Sequence, residues 1–214
     1  MINGICISKC REVYTIDKDT LFRHRIVICK QTGCDALRYY LEDNGRSYDN
    51  YISQCSTKNY EISTLKFKSG NNISQDLIDE IGNSHQKIET LEITSCFNEN
   101  EYSFDSIGKI KSITSLKIAN LCEKVKLRDD YFPTGICKAT KLRNLQFSGF
   151  IFKSFPKRIS DLTSLTELDL SDNTIETFPN RIGDLTELVT INMAGNKITS
   201  IPSRIGDLSK LENL

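Results

Sequence analysis

The chain has 214 residues, with 28 basic and 28 acidic side chains, a formal net charge of +0, 38% apolar residues and only 4 Pro and 2 His. That balance argues against attachment to nucleic acid or an anionic membrane by bulk electrostatics, which needs a surplus of Lys and Arg. No apolar run approaches the roughly 18 residues of a membrane span, and Met1 to Cys10 is too short a stretch before Arg11 and Glu12 to be a secretory leader, so a soluble, cytoplasmic protein is expected.

Residues 1–57 obey no period. Val13 to Ile16 and Arg25 to Cys29 read as strands, Asp35 to Glu42 as a short helix, and Asp43 to Asp49 as a polar loop turning at Asn44-Gly45. The segment is expected to be an N-terminal cap, or a small separate module, over the open end of the patterned region that begins at residue 58. Five of the 8 Cys (Cys6, Cys10, Cys29, Cys34, Cys55) lie here. Their spacings are looser than the paired signature of a zinc site, and without a leader reduced thiols are expected.

From residue 58 a pattern emerges, irregular to about 131. Ile62, Leu65, Phe67; then Ile88, Leu91, Ile93, Cys96; then Ile107, Ile110, Ile113, Leu116, Ile118 repeat a short alternation preceded by steps of three. Cys96 falls at the position that Asn173 and Asn196 hold in the later regular units and is expected to be a structural thiol. From 132 the pattern is regular. Pro133, Pro156, Pro179 and Pro202 stand 23 residues apart, and Phe178-Pro179-Asn180-Arg181-Ile182-Gly183-Asp184-Leu185 is closely matched around Pro156 and Pro202. Each unit continues as LxxLxLxxNxI: Leu165, Leu168, Leu170, Asn173, Ile175, then Leu188, Ile191, Met193, Asn196, Ile198. Leu142, Leu145, Phe147, Phe150, Phe152 fill the same slots one unit earlier, with Phe150 in place of the asparagine, so that turn is expected to be packed. Leu211 and Leu214 begin a further, incomplete unit.

This motif resembles the leucine-rich repeat family, whose units of about 20–29 residues carry it; the phrase FPxxIGDLxxLxxL is most similar to intracellular Ras-group and related repeat proteins. The resemblance implies an α/β solenoid: a curved parallel sheet on the concave face and short helical or 3₁₀ turns on the convex face. It also implies a protein-interaction scaffold. The alternation at Leu168 and Leu170 gives a strand with one face inward, and the spacing of Ile159, Leu162 and Leu165 gives a turn returning along the convex side. One unit cannot bury these side chains, so units must stack. Asn173 and Asn196 are structural, their amides expected to bond backbone groups left open at the bend.

No residue is assigned to catalysis, a cofactor or a metal. Cys137 followed by five residues and Arg143 imitates a cysteine phosphatase loop, yet Cys137 stands in the slot of Ser160, Gly183 and Gly206, with no glycine opening the loop. His85 takes a framework slot, His24 has no paired carboxylate, no phosphate-binding glycine loop occurs, and Asn72-Ile73-Ser74 is a lone glycosylation triplet.

Outward strand positions form columns on the concave face. The central column is Lys66, Glu92, Lys117, Gln146, Asp169, Asn192, with Thr64, Thr90, Ser115, Asn144, Glu167, Thr190 on one side and Lys68, Thr94, Ala119, Ser148, Ser171, Ala194 on the other. Lys66, Glu92 and Lys117 are expected to pair, and Glu167, Asp169 and Asp172 to form an acidic cluster for a basic partner segment. The expected function is a non-enzymatic cytoplasmic scaffold binding a protein partner through Asn144, Gln146, Glu167, Asp169, Asp172, Thr190 and Asn192. The alternative is the recognition region of a longer signalling receptor or enzyme. The C-terminal end is expected to be covered by further repeats or by a partner.

Overall fold

The computed structural model describes residues 33–59, 61–69, 73–84, 87–97, 102–127 and 131–214. The expected strands Val13 to Ile16 and Arg25 to Cys29, the thiols Cys6, Cys10 and Cys29, and His24, Asn72 and His85 lie outside the described residues.

The first described element is helix α1 (Gly33–Asp43), where the short helix is expected. Gly45, at φ +70°, ends it: Gly45 N–H donates to the carbonyl of Glu42 and Arg46 N–H to that of Leu41, a left-handed closure that glycine makes without steric cost. The expected loop is cut short by α2 (Tyr48–Tyr51), which runs into β1 (Ile52–Lys58). Strand β1 has only Ile52 buried; its Ser, Thr and Gln residues show no alternation, so nothing in the sequence marks it. It pairs antiparallel with β2 (Glu61–Phe67) and ends the sheet at its N-terminal edge.

All the remaining sheet partners are parallel. β3 (Thr90–Ser95), β4 (Ser115–Asn120), β6 (Asn144–Ser148), β8 (Glu167–Asp169) and β9 (Thr190–Asn192) succeed β2 in order. Their register aligns Leu65, Leu91, Leu116, Leu145, Leu168 and Ile191 in one buried row. Asn213 begins the next rung by bridging Thr190. This is the expected leucine-rich repeat solenoid.

On the convex side the first unit carries a true helix, α3 (Gln75–Asn83), whose Leu77, Ile78 and Ile81 face the core and whose N-cap Ser74 accepts from the Leu77 N–H. Later units have 3₁₀ turns at Asp105–Lys109, Ile136–Lys138, Lys157–Asp161, Asn180–Asp184 and Ser203–Asp207. In the last three a proline precedes the turn, its φ near −65° already suited to entry. A second, narrow sheet pairs β5 (Val125–Lys126) with β7 (Phe150–Ile151) on the flank, continued by single bridges Tyr131 to Ser154 and Ser154 to Thr177. Two-residue strands carry no periodicity, so no sequence pattern announces them.

Two thiol expectations are corrected. Cys34 and Cys55 are disulfide-bonded, α1 bringing its cysteine to β1 with Cα atoms 5.9 Å apart. Cys96 is not a free thiol: the turns after β3 and β4 bring it to Cys122, Cα to Cα 5.1 Å, and the two are bonded.

Candidate functional site

The strand register builds the concave face column by column. Lys66, Glu92, Lys117, Gln146, Asp169 and Asn192 stand side by side, as do Thr64, Thr90, Ser115, Asn144, Glu167 and Thr190. Glu92 accepts Lys66 Nζ at 3.5 Å and Lys117 Nζ at 3.3 Å, so the N-terminal end of the column is an ion-paired ladder. A groove of about 320 Å³ opens over this face, lined by Glu92, Lys117, Asn144, Gln146, Glu167 and Asp169 among others. Thr190 and Asn192 continue the same columns beyond the groove.

Within the groove Asn144 donates its amide to the Glu167 carboxylate. Asp169 Oδ1 accepts from the Ser171 N–H at 2.9 Å, and Asn192 Oδ1 accepts from Ala194 N–H at 3.1 Å. Among the described residues neither Glu167 nor Asp169 has an ion pair. Two sequence expectations change here. Ala119 and Ser148, in the third column, are buried and present no outward surface. Asp172 does not line the groove; it sits in the turn after β8 at φ +57°, the slot that Gly195 occupies at φ +70°, a conformation an aspartate tolerates better than most residues.

Behind the face, asparagines join the turns. Asn173 Oδ1 accepts from Phe150 N–H at 2.9 Å while its amide donates to the carbonyls of Phe147 and Leu170. Asn196 repeats this with Ile175 N–H and the carbonyls of Leu170 and Met193. Sequence reading misses a third member. Asn120 Oδ1 accepts from Phe97 N–H, and its amide donates to the carbonyls of Glu123 and Gly149. It lies one residue before the motif slot, which Leu121 fills with its side chain exposed. The available signal was the Asn itself at the end of an alternating strand.

Cys137 is buried, and burial, followed by the charge of Asp161, pushes its thiol up to about 12. Its side chain is part of the continuous core between the repeats, in the framework slot that it shares with Ser160.

A profile described as a leucine-rich repeat region matches residues 96–214, more than half of the chain. The chain belongs to the leucine-rich repeat family. No curated protein matches it in sequence. Among solved structures it is similar to the plant peptide hormone receptor RGFR1 in complex with RGF2, at 24% identity and a TM-score of 0.55 over 68% of this chain and 22% of that one. It is similar also to the ectodomain of the Arabidopsis receptor kinase HAESA in complex with an IDA peptide hormone ligand, at 22% identity and a TM-score of 0.56 over 70% of this chain and 24% of that one. The leucine-rich repeat chain thus spans about a quarter of the length of these receptors, and the likeness is one of fold. No helix among the described residues is long and apolar enough to cross a membrane.

Proposed function

We propose that this leucine-rich repeat array is a recognition module, not an enzyme, and that its concave face binds an extended peptide or protein segment carrying basic residues. The observation that carries this reading is the uneven charge of the groove. At one end Glu92 is shared by Lys66 and Lys117; at the other Glu167 and Asp169 face solvent with neutral neighbours, Asn144, Gln146, Thr190 and Asn192. Glu167 and Asp169 meet the cations of the bound segment, and the amides and hydroxyl bond its backbone.

In this reading the array serves a longer receptor-type protein, a reading supported by the share of the plant receptors that it spans. The disulfides Cys34–Cys55 and Cys96–Cys122 support an oxidising compartment in place of the cytoplasm. An intracellular scaffold of the Ras-group type is the second reading, favoured by the FPxxIGDL phrase around Pro179; peptide mapping of the chain as secreted or extracted, alkylated before reduction, separates the two.

Binding is tested with an immobilised array of Lys- and Arg-rich peptides. The variant Glu167→Lys, Asp169→Lys should lose at least tenfold in capture with its circular dichroism unchanged, and adding Asp172→Lys should change little more. Undiminished capture by the folded variant would move the interface off the concave face.

A further inference from the structure

A second concavity, of about 630 Å³, lies where the convex turns lead into β3, β4 and β6, and shares no lining residue with the concave groove. Four lysines surround it: Lys87, Lys109, Lys111 and Lys141, accompanied by Asn83 and Ser112, with no carboxylate in its lining. Lys87 Nζ is 3.0 Å from Glu61, the one carboxylate within ion-pair range of these lysines among the described residues. Lys109 donates to the amide oxygen of Asn83 at 2.6 Å. Lys111 donates to the carbonyls of Gly108 and Lys138, both at 2.9 Å. Three of the four ammonium groups thus have no carboxylate partner among the described residues, at one opening of a chain whose net charge is +0.

The slot of Lys109 explains why the charge collects here. In later units that slot holds Asp161, Asp184 and Asp207, each bonded to the arginine three residues before it, Arg158, Arg181 and Arg204. In the two units before them it holds Lys109 and Lys138, and that acid is missing. Like charges held together with no counter-charge repel one another, and an anion seated among them gains from all of them at once.

We propose that this groove binds a compact, multiply phosphorylated anion. Charge density selects the class. Lys87, Lys111 and Lys141 lead into three consecutive strands, so the row spans roughly 10 Å at the usual strand spacing. An extended acidic peptide places same-face carboxylates about 7 Å apart and delivers about two charges over that length, whereas each phosphate ester brings nearly two by itself. Lysine meets phosphate as a point charge and needs no planar geometry. The lining holds no aromatic ring and no large apolar side chain, so nothing there receives a base or a hydrophobic anchor.

The 214-residue chain is titrated calorimetrically with inorganic tripolyphosphate at low ionic strength. One saturable site is expected, weakening as salt is added, with affinity lowered at least tenfold in Lys109→Gln, Lys141→Gln. The control Lys157→Gln, Lys197→Gln, equal in charge change but on other units, should bind as the unaltered chain does. Equal loss in the control, or absence of saturation, would overturn the site. Tighter binding of hexaglutamate or sucrose octasulfate than of tripolyphosphate would overturn the phosphate assignment.

Discussion

The units on either side of Pro156 solve the same stacking problem by different means. Before it, units of unequal length are joined by aromatic rings. Phe97 meets Tyr102, Phe104 and Phe150 at 4.9, 5.6 and 5.4 Å between centroids, Phe147 meets Phe150 at 4.6 Å and Phe132 at 5.1 Å, and Phe132 stacks on Phe155 at 4.7 Å. Large rings absorb irregular gaps, and two disulfides lie in the same half. After it, equal units are joined by directional bonds: Asn173 and Asn196 donate to the carbonyls of Phe147 and Leu170 one unit back, and on the convex side Arg204, besides its own Asp207, reaches back to Asp184 at 2.8 Å. Aromatic packing tolerates a variable repeat, and the asparagine bond bridges unequal units only where a residue is displaced to reach, as Asn120 is by one position.

Removing a ring from the irregular half should therefore cost most. Phe147 is fully buried against Phe104, Phe132, Phe150 and Phe152, and Phe147→Ala should lower stability by about 3–5 kcal/mol, read from the denaturation midpoint. A loss no larger than that of an exposed substitution would mean that the rings do not hold these units together. Next comes the covalent link at the N-terminal edge. Cys34–Cys55 closes a loop of sequence separation 21, and Cys34→Ser, Cys55→Ser should cost about 3 kcal/mol through the freedom returned to the unfolded chain. Hydrogen exchange should show the loss in α1 and β1 first, since the link joins those two elements.

In the regular half the comparison sharpens to single groups. Asn173 is buried with three partners, so Asn173→Ala strands backbone groups and should cost about 1–3 kcal/mol, while Asp169→Ala on the open face should cost less than about 0.5 kcal/mol. Equal midpoints for the two would break the division between turn and face.

The same division decides how much was legible beforehand. The columns of the concave face are set by the alternation at Leu168 and Leu170 and its counterparts, because a two-residue period with one face buried leaves one register whatever the length of the turn between units. Asp172 escaped that logic, since it lies beyond the strand, where backbone conformation and not alternation sets direction. Asn120 was hidden by a one-residue offset that only the bonds to Phe97 and Gly149 reveal. Cys96 and Cys122 sit 26 residues apart, in units whose lengths differ, so their meeting depends on how the turns stack. The lysine groove gathers residues from separate units that no motif links, and a net charge of +0 conceals it.

The finest contrast comes from two glycines that the repeat makes equivalent. Gly183 and Gly206 hold the same slot, after Ile182 and Ile205 on the convex turn. A Cβ on Gly183 would lie 2.5 Å from the carbonyl oxygen of Arg204, whereas one on Gly206 would meet nothing within 4 Å. The difference is positional: Gly183 is covered by the next unit, and Gly206 belongs to the unit in which Ile201 is 47% and Leu214 63% exposed, against 9% for Phe178 one repeat earlier than Ile201. Gly183→Ala must push two turns apart and should cost about 1–3 kcal/mol. Gly206→Ala meets no obstacle and narrows the unfolded ensemble, so it should be neutral or add up to about 1 kcal/mol. Thermal midpoints of the two variants of the 214-residue chain make the check. A Gly206→Ala loss as large as that of Gly183→Ala would show a second surface packed on the last turn, and the contrast between a covered unit and an open one would be lost.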